Sequence, residues 1–134
     1  MNDKRLIRTT KINDIKFHCE MDVAMHYVGG KWKTVVLWYL IEGKKRFHEI
    51  KKHIPNITEK MLSIQLKSLE EDGIIKKEVF NPKPPLRVEY SLTDFGKTLV
   101  PLLEYMVTWG RFVVKEKSYS IHVNTISTEA DIDL

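Results

Sequence analysis

At 134 residues, 43% hydrophobic and 30% charged, the chain has the composition of one soluble globular domain, long enough to bury a modest core without cross-links. No apolar run approaches the about 20 residues that a membrane helix requires, the first residues (MNDKRLIRTTKIND) lack the apolar segment of an export signal, and the single cysteine excludes an internal disulfide. A cytoplasmic protein with no membrane partner is expected. Net charge is +4 but unevenly spread: residues 1–117 carry 22 basic and 15 acidic groups, whereas residues 118–134 carry three acids and no base. The body suits a polyanionic partner, although a modest positive charge also serves simply to keep a small protein soluble.

Residues 1–18 read as a polar, basic arm with isolated apolar positions at Leu6, Ile7, Ile12, Ile15 and Phe17. A short helix is predicted from about Asp22 to Val28 and ends at Gly29-Gly30, where two residues without Cβ favour a reversal. The next helix spans roughly Lys31 to Ile41, with Trp32, Val36 and Leu40 beside Val35 and Leu37 in the three/four spacing of a buried face. A turn at Glu42–Lys45 leads to a third helix, about Phe47 to His53. Pro55 stops it by pushing the preceding residue out of the helical region. Thr58 is placed to cap a fourth helix, and Glu59 complements its dipole. Leu62, Leu66 and Leu69 form an inward stripe, and Gly73 closes the helix.

At about 100° per residue, Lys60, Ser63, Ile64 and Lys67 fall opposite the three leucines, and with Thr58 at the helix start they are the expected DNA contacts of this helix. Lysines suit phosphates or guanine edges, serine serves either, and an apolar side chain can meet a thymine methyl. A single exposed isoleucine is nonetheless common on protein surfaces. Two β-prone runs follow, Ile74–Phe80 and Arg87–Leu92. The stiff loop Asn81-Pro82-Lys83-Pro84-Pro85-Leu86 joins them and cannot enter a central sheet. Its stiffness lowers the entropy lost when Lys83 and Arg87 are held against a phosphate backbone, the other reading being an ordinary exposed turn. Two helices joined by the tight PNIT turn and followed by a basic hairpin outline a winged helix-turn-helix. In that module one helix enters the major groove and the hairpin reaches the flanking backbone or minor groove. Arg46, just before the third helix, is a further candidate phosphate contact.

After a Thr93 cap, a last helix is predicted from Asp94 to Lys117, about 36 Å long, with a bend at Pro101. Phe95, Leu99, Leu102, Met106, Trp109 and Val113 repeat at 4-3-4-3-4 spacing, and a second stripe runs through Val100, Leu103, Val107, Gly110 and Val114. Two adjacent stripes make a face wider than one small core needs, so this helix and the N-terminal arm are expected to pair two subunits. The dimer contacts would be Phe95, Leu99, Leu102, Leu103, Met106, Trp109 and Val113. Two-fold symmetry would then set the reading helices about 34–36 Å apart. A long helix wrapped on its own subunit is the alternative.

Three runs of this sequence carry a family resemblance: CEMDVAMHYVGGKWKTVVLWYL, KRFHEIKKHIPNITEKMLSIQLKSLEEDGII and PLRVEYSLTDFGKTL. Together they resemble the HxlR family of winged-helix transcription regulators, relatives of the MarR-like fold, from Cys19 to about Gly110. Gly29-Gly30-Lys31-Trp32, Arg46-Phe47, the stretch from Leu62 to Gly73, and Val88-Glu89-Tyr90-Ser91-Leu92-Thr93 are the specific marks. The resemblance implies homodimers that bind two-fold-related operators and repress or activate nearby genes. This chain departs from the pattern at Glu20, where members often carry proline, and at Ile64, where a polar residue is more common. Some members sense electrophiles or oxidants through the cysteine that Cys19 matches. The alternative for Cys19 is a buried, inert thiol at the start of the first helix.

Other chemistry finds little support. The five histidines form no metal pattern, and neither GxSxG, HExxH nor GxGxxG occurs. Gly30-Lys31 looks like the end of a phosphate-binding loop, but Trp32 replaces the metal-binding hydroxyl and Met25 the first glycine. No metal, no cofactor and no enzymatic activity are expected. The expected architecture is mostly α with a small β-hairpin: a winged helix-turn-helix with extra N- and C-terminal dimerisation elements. Residues 1–18 would be the dimer-contacting arm, 19–117 the DNA-binding domain with its dimerisation helix 94–117, and 118–134 an acidic, disordered tail. The expected function is a homodimeric, sequence-specific transcription regulator, read as a repressor. Its partners would be double-stranded DNA, a second copy of itself and a small-molecule or oxidant effector. A winged-helix module that binds protein or RNA without an operator is the alternative.

Overall fold

The computed structural model describes residues 10–81 and 83–124, which divide into two compact units, one ending at Lys97 and the other beginning at Thr98. Residues 1–9 of the expected arm and 125–134 of the expected tail lie outside the described residues.

The first unit opens with a hairpin, to which the reading of residues 1–18 as a polar, basic arm assigns no strands. Strands β1 (Thr10–Ile12) and β2 (Ile15–Phe17) pair antiparallel, with Thr10 opposite Phe17 and Ile12 opposite Ile15. Asn13 and Asp14 form the two-residue turn with φ of 48° and 66°. Left-handed conformations at both central residues match the twist of the flanking strands, and Asn and Asp tolerate them better than most side chains. Phe17 is buried, which anchors the hairpin. Helix α1 (Glu20–Val28) follows, then α2 (Lys33–Leu40), which starts two residues later than predicted, and α3 (Phe47–His53), which matches the prediction.

Helix α4 (Glu59–Glu71) is defined at both ends by its sequence. The Thr58 hydroxyl oxygen accepts the Met61 N–H at 3.0 Å, satisfying one of the free donors of the first turn. At the other end Gly73 adopts φ +74°, and Ile74 N–H reaches back to the Leu69 carbonyl at 3.0 Å. A residue with Cβ would be strained in that left-handed position. Strands β3 (Ile75–Val79) and β4 (Val88–Leu92) then form an antiparallel hairpin with Ile75 opposite Leu92 and Val79 opposite Val88. Lys45 adds a one-residue bridge on the far side of β4, exchanging backbone hydrogen bonds with Tyr90 at 2.9 and 2.8 Å. Val36, Leu37, Leu40, Ile50, Leu62, Leu66, Leu69, Ile74 and Ile75 are almost fully buried and form the core of this unit. Helix α5 (Asp94–Lys97) closes it. Thr93 caps α5 as expected, its hydroxyl oxygen accepting Gly96 N–H at 2.9 Å while donating to the Gly73 carbonyl at 2.6 Å.

The single helix expected over 94–117 is two helices. The chain leaves helical geometry at Thr98-Leu99, and α6 runs from Val100 to Asn124. Pro101 accounts for the break. It has no N–H to donate to the Lys97 carbonyl, but it is well tolerated in the first turn of α6, where that donor would have no partner anyway. Leu103 N–H bonds to the Leu99 carbonyl at 2.9 Å, starting the new ladder. The second unit is this helix, 25 residues and about 37 Å long, continuing beyond Lys117 into the segment expected to be a disordered tail. Among the described residues no helix is long and apolar enough to cross a membrane.

Candidate nucleic-acid interface

The two faces of α4 differ sharply. Leu62, Leu66 and Leu69 are buried, whereas Lys60, Ser63, Ile64 and Lys67 are exposed on the opposite side, Ile64 retaining 48% of its accessible surface. Neither Lys60 nor Lys67 makes an ion pair among the described residues, so both ammonium groups are available to an external anion. Thr58 differs from its neighbours in this set. Its hydroxyl is exposed but already engaged as the helix cap, so it fixes where α4 begins.

Helix α3 and its connection set the position of α4. Ile50, Ile54 and Ile57 are buried, and Ile57 N–H bonds to the Ile54 carbonyl at 3.2 Å across the turn. Arg46 stands exposed at the N-terminus of α3, its backbone N–H donating to Glu49 Oε1 at 2.7 Å. Its guanidinium has no carboxylate partner among the described residues.

The β3–β4 hairpin supplies the second cluster of cations. Phe80 N–H bonds to the Arg87 carbonyl at 2.8 Å, which carries the ladder one step past the strands, and Asn81 Nδ2 donates to the Pro85 carbonyl at 3.4 Å within the loop. Lys83 is exposed and unpaired among the described residues, but Arg87 is not, because its Nε lies 3.0 Å from Glu89 Oε2. The two expected wing cations are therefore unequal: Glu89 already neutralises much of the Arg87 charge. Lys76 and Lys77, on the exposed stem of β3, were missed from the sequence, although a lysine doublet inside a strand run was there to be seen. Lys44, also missed, sits 3.7 Å from Glu78 Oε1 and 5.1 Å from the Phe80 ring centroid. Burial, and secondarily the charge of Glu70, raise the Tyr90 phenol above its ordinary value, so at neutral pH it is an uncharged hydroxyl.

Cys19 is the half-buried, extended residue immediately before α1, and its carbonyl accepts Val23 N–H at 3.1 Å. It is neither fully sealed nor fully open. At the other end of α1, His26 Nε2 lies 4.0 Å from Asp72 Oδ1 at the end of α4, so the helix that follows the cysteine touches the helix with the lysine-rich face.

The two apolar stripes of α6 separate in the structure. Leu103 is only 2% exposed, and Val107, Gly110 and Val114 beside it are half-buried. Leu102, Met106 and Trp109 are exposed, joined by Tyr105 and Phe112, which the sequence reading left out. Leu103 therefore leaves the set of expected dimer contacts: a side chain already buried has no surface to offer a second subunit. Leu99 and Val113 are half-buried, and Phe95, exposed, belongs to α5, where its ring lies edge-on 5.8 Å from Tyr27.

The HxlR-like helix-turn-helix family profile matches residues 27–118 of this chain. The HTH-type transcriptional regulator YdeP of Bacillus subtilis is 50% identical over 92 residues, 69% of this chain and 71% of that protein. An HTH-type transcriptional regulator of Methanothermobacter thermautotrophicus is 45% identical over 100 residues, covering 75% of this chain and 76% of that one. Among solved structures, the redox regulator HypR in its reduced form superposes with a TM-score of 0.67 at 44% identity, covering 70% of this chain and 92% of HypR. The reduced form of the transcriptional regulator YodB from B. subtilis gives 0.60 at 37% identity, covering 67% of this chain and 87% of YodB.

Proposed function

Because the chain belongs to the HxlR-like helix-turn-helix family of transcription regulators, which are not enzymes, we propose that it acts as a homodimer on a two-fold-related operator, as a repressor. Lys60, Ser63, Ile64 and Lys67 enter the major groove, Arg46 and Lys83 take phosphates on either side, and Arg87 supports the wing. The observation that carries this reading is the exposed, unpaired cationic face of α4 directly opposite its leucine anchor. A rod held from behind and charged in front is what groove entry requires. The exposed apolar stripe of Leu102, Met106 and Trp109 supports pairing of two α6 helices, because a contiguous aromatic and aliphatic face on a helix is costly to leave in water. The arm, residues 1–18, is assigned to the same dimer contact.

Cys19 is proposed as the site of an oxidant or electrophile response, with a small-molecule or oxidant effector as the signal. HypR, solved in reduced and oxidised forms, and YodB, solved reduced, diamide-treated and quinone-bound, support this assignment. The contact of α1 with the end of α4 gives a modification at Cys19 a short physical route to the reading helix.

Genomic fragments bound by the protein, collected with and without oxidant, test the reading. Recovery of one motif in two-fold-related copies, with affinity falling steeply as salt rises, is expected. Absence of duplex binding at every salt concentration would instead leave a winged-helix module that binds protein or RNA.

A further inference from the structure

The reading face of α4 is short of the side chains that usually identify bases. Bidentate contact with adenine needs Asn or Gln, and a rigid fork toward guanine needs Arg. The outward face of α4 has neither Arg nor Asn, and its one glutamine, Gln65, is half-buried with its amide directed to Met61 Sδ at 3.2 Å. Lys60 and Lys67 are flexible point charges, equally served by a phosphate or a guanine edge. Ile64 lies between them, one turn after Lys60 and just under one turn before Lys67, exposed to 48%. Its β-branched side chain is held to essentially one χ1 rotamer in a helix. Among the four outward residues it is thus the one that is both stiff and apolar. Little entropy is lost when such a group is set against a partner.

The major groove offers one apolar group for it to meet, the methyl at C5 of a pyrimidine. Resting on the DNA-reading assignment above, we propose that Ile64 is the C5-methyl reader of each half-site. It recognises thymine through its methyl group rather than through hydrogen bonds. It therefore accepts 5-methylcytosine, which places the same methyl at the same groove position, in preference to cytosine.

The test uses full-length protein and a duplex selected by it from a random library. Each thymine is then replaced singly by deoxyuridine, which deletes only the methyl group. For the wild-type protein one thymine per half-site is expected to lose about three- to fivefold in affinity, the value of one buried methyl-sized group. The Ile64→Ala variant should lose that sensitivity at that position alone, and Ile64→Val should keep most of it. At the same position 5-methylcytosine should bind wild type more tightly than cytosine does, with no such difference for Ile64→Ala. Uniform indifference of wild type to deoxyuridine overturns the proposal, as does a sensitive thymine that stays equally sensitive with Ile64→Ala. If selection returns no motif at all, the DNA-reading assignment itself has failed and this one falls with it. That result is distinct from a motif with no methyl-dependent position.

Discussion

Replacing Lys83 by alanine isolates the wing's electrostatic contribution. Arg46, Lys60, Lys67 and Lys83 are exposed and unpaired among the described residues, so a dimer would bring eight such cations to one operator. With each neutralised phosphate contributing about 0.9, log affinity should fall against log salt with a slope of about −4 from Arg46 and Lys83, steepening to about −7 where Lys60 and Lys67 also meet phosphates. Lys83→Ala removes one contact from each protomer and should make that slope shallower by about 1.8. A fourfold rise in salt would then cost the variant roughly tenfold less affinity than it costs wild type. The Arg87–Glu89 pair is the internal control. Its charges already compensate each other at 3.0 Å, so the double variant Arg87→Ala/Glu89→Ala should change the slope far less. Anisotropy titrations of one duplex across a salt series read both quantities, with thermal melts to confirm folding. An unchanged slope in Lys83→Ala would refute the assignment of the wing to phosphates. So would a double variant that flattens the slope as much as Lys83→Ala does.

Other outcomes follow from the packing and the helix faces. Leu66→Ala, which empties a fully enclosed position on the anchored side of α4, should destabilise the fold by about 2–5 kcal/mol in urea titration. Gly96→Ala should also be destabilising, by about 1–3 kcal/mol, because the added Cβ would run into the Ile74 carbonyl oxygen; equal melting temperatures for variant and wild type would contradict that geometry. Trp109→Asp should shift the protein from dimer to monomer in light scattering at micromolar concentration, since Trp109 is 62% exposed in the single subunit and would be desolvated on pairing. Cys19→Ser should bind the operator as wild type does while losing the response to diamide or quinone. A variant that still responds would return Cys19 to the role of an inert thiol.

The helix-turn-helix and its wing were legible because several local signals agreed. Thr58, the three leucines and Gly73 each dictate the same α4, and Pro55 and the proline-rich loop mark the boundaries on either side. The N-terminal hairpin was missed because each strand is only three residues long, too short for alternation to stand out. The Asn13-Asp14 pair was nevertheless a usable turn signal. The bridge at Lys45 involves one residue, and a single pairing leaves no period in the sequence. In the last helix a continuous 4-3 repeat hid the break at Thr98-Leu99, since apolar spacing does not report a missing N–H. Which of the two stripes is covered was equally invisible: Leu102 and Leu103 are the same residue type, and only three-dimensional placement separates them. In the wing, composition gave Lys83 and Arg87 equal standing until the position of Glu89 distinguished them.

Tyr90 faces Lys77 across the hairpin, and both of its backbone hydrogen bonds go the other way, to Lys45 at the doorway of α3. The wing is therefore not a loose flap but the long arm of a lever whose fulcrum is shared with the helix-turn-helix. A tilt at the tip passes through the Lys45 bridge to where α3 begins, so in the proposed complex groove and flank would be gripped together or released together.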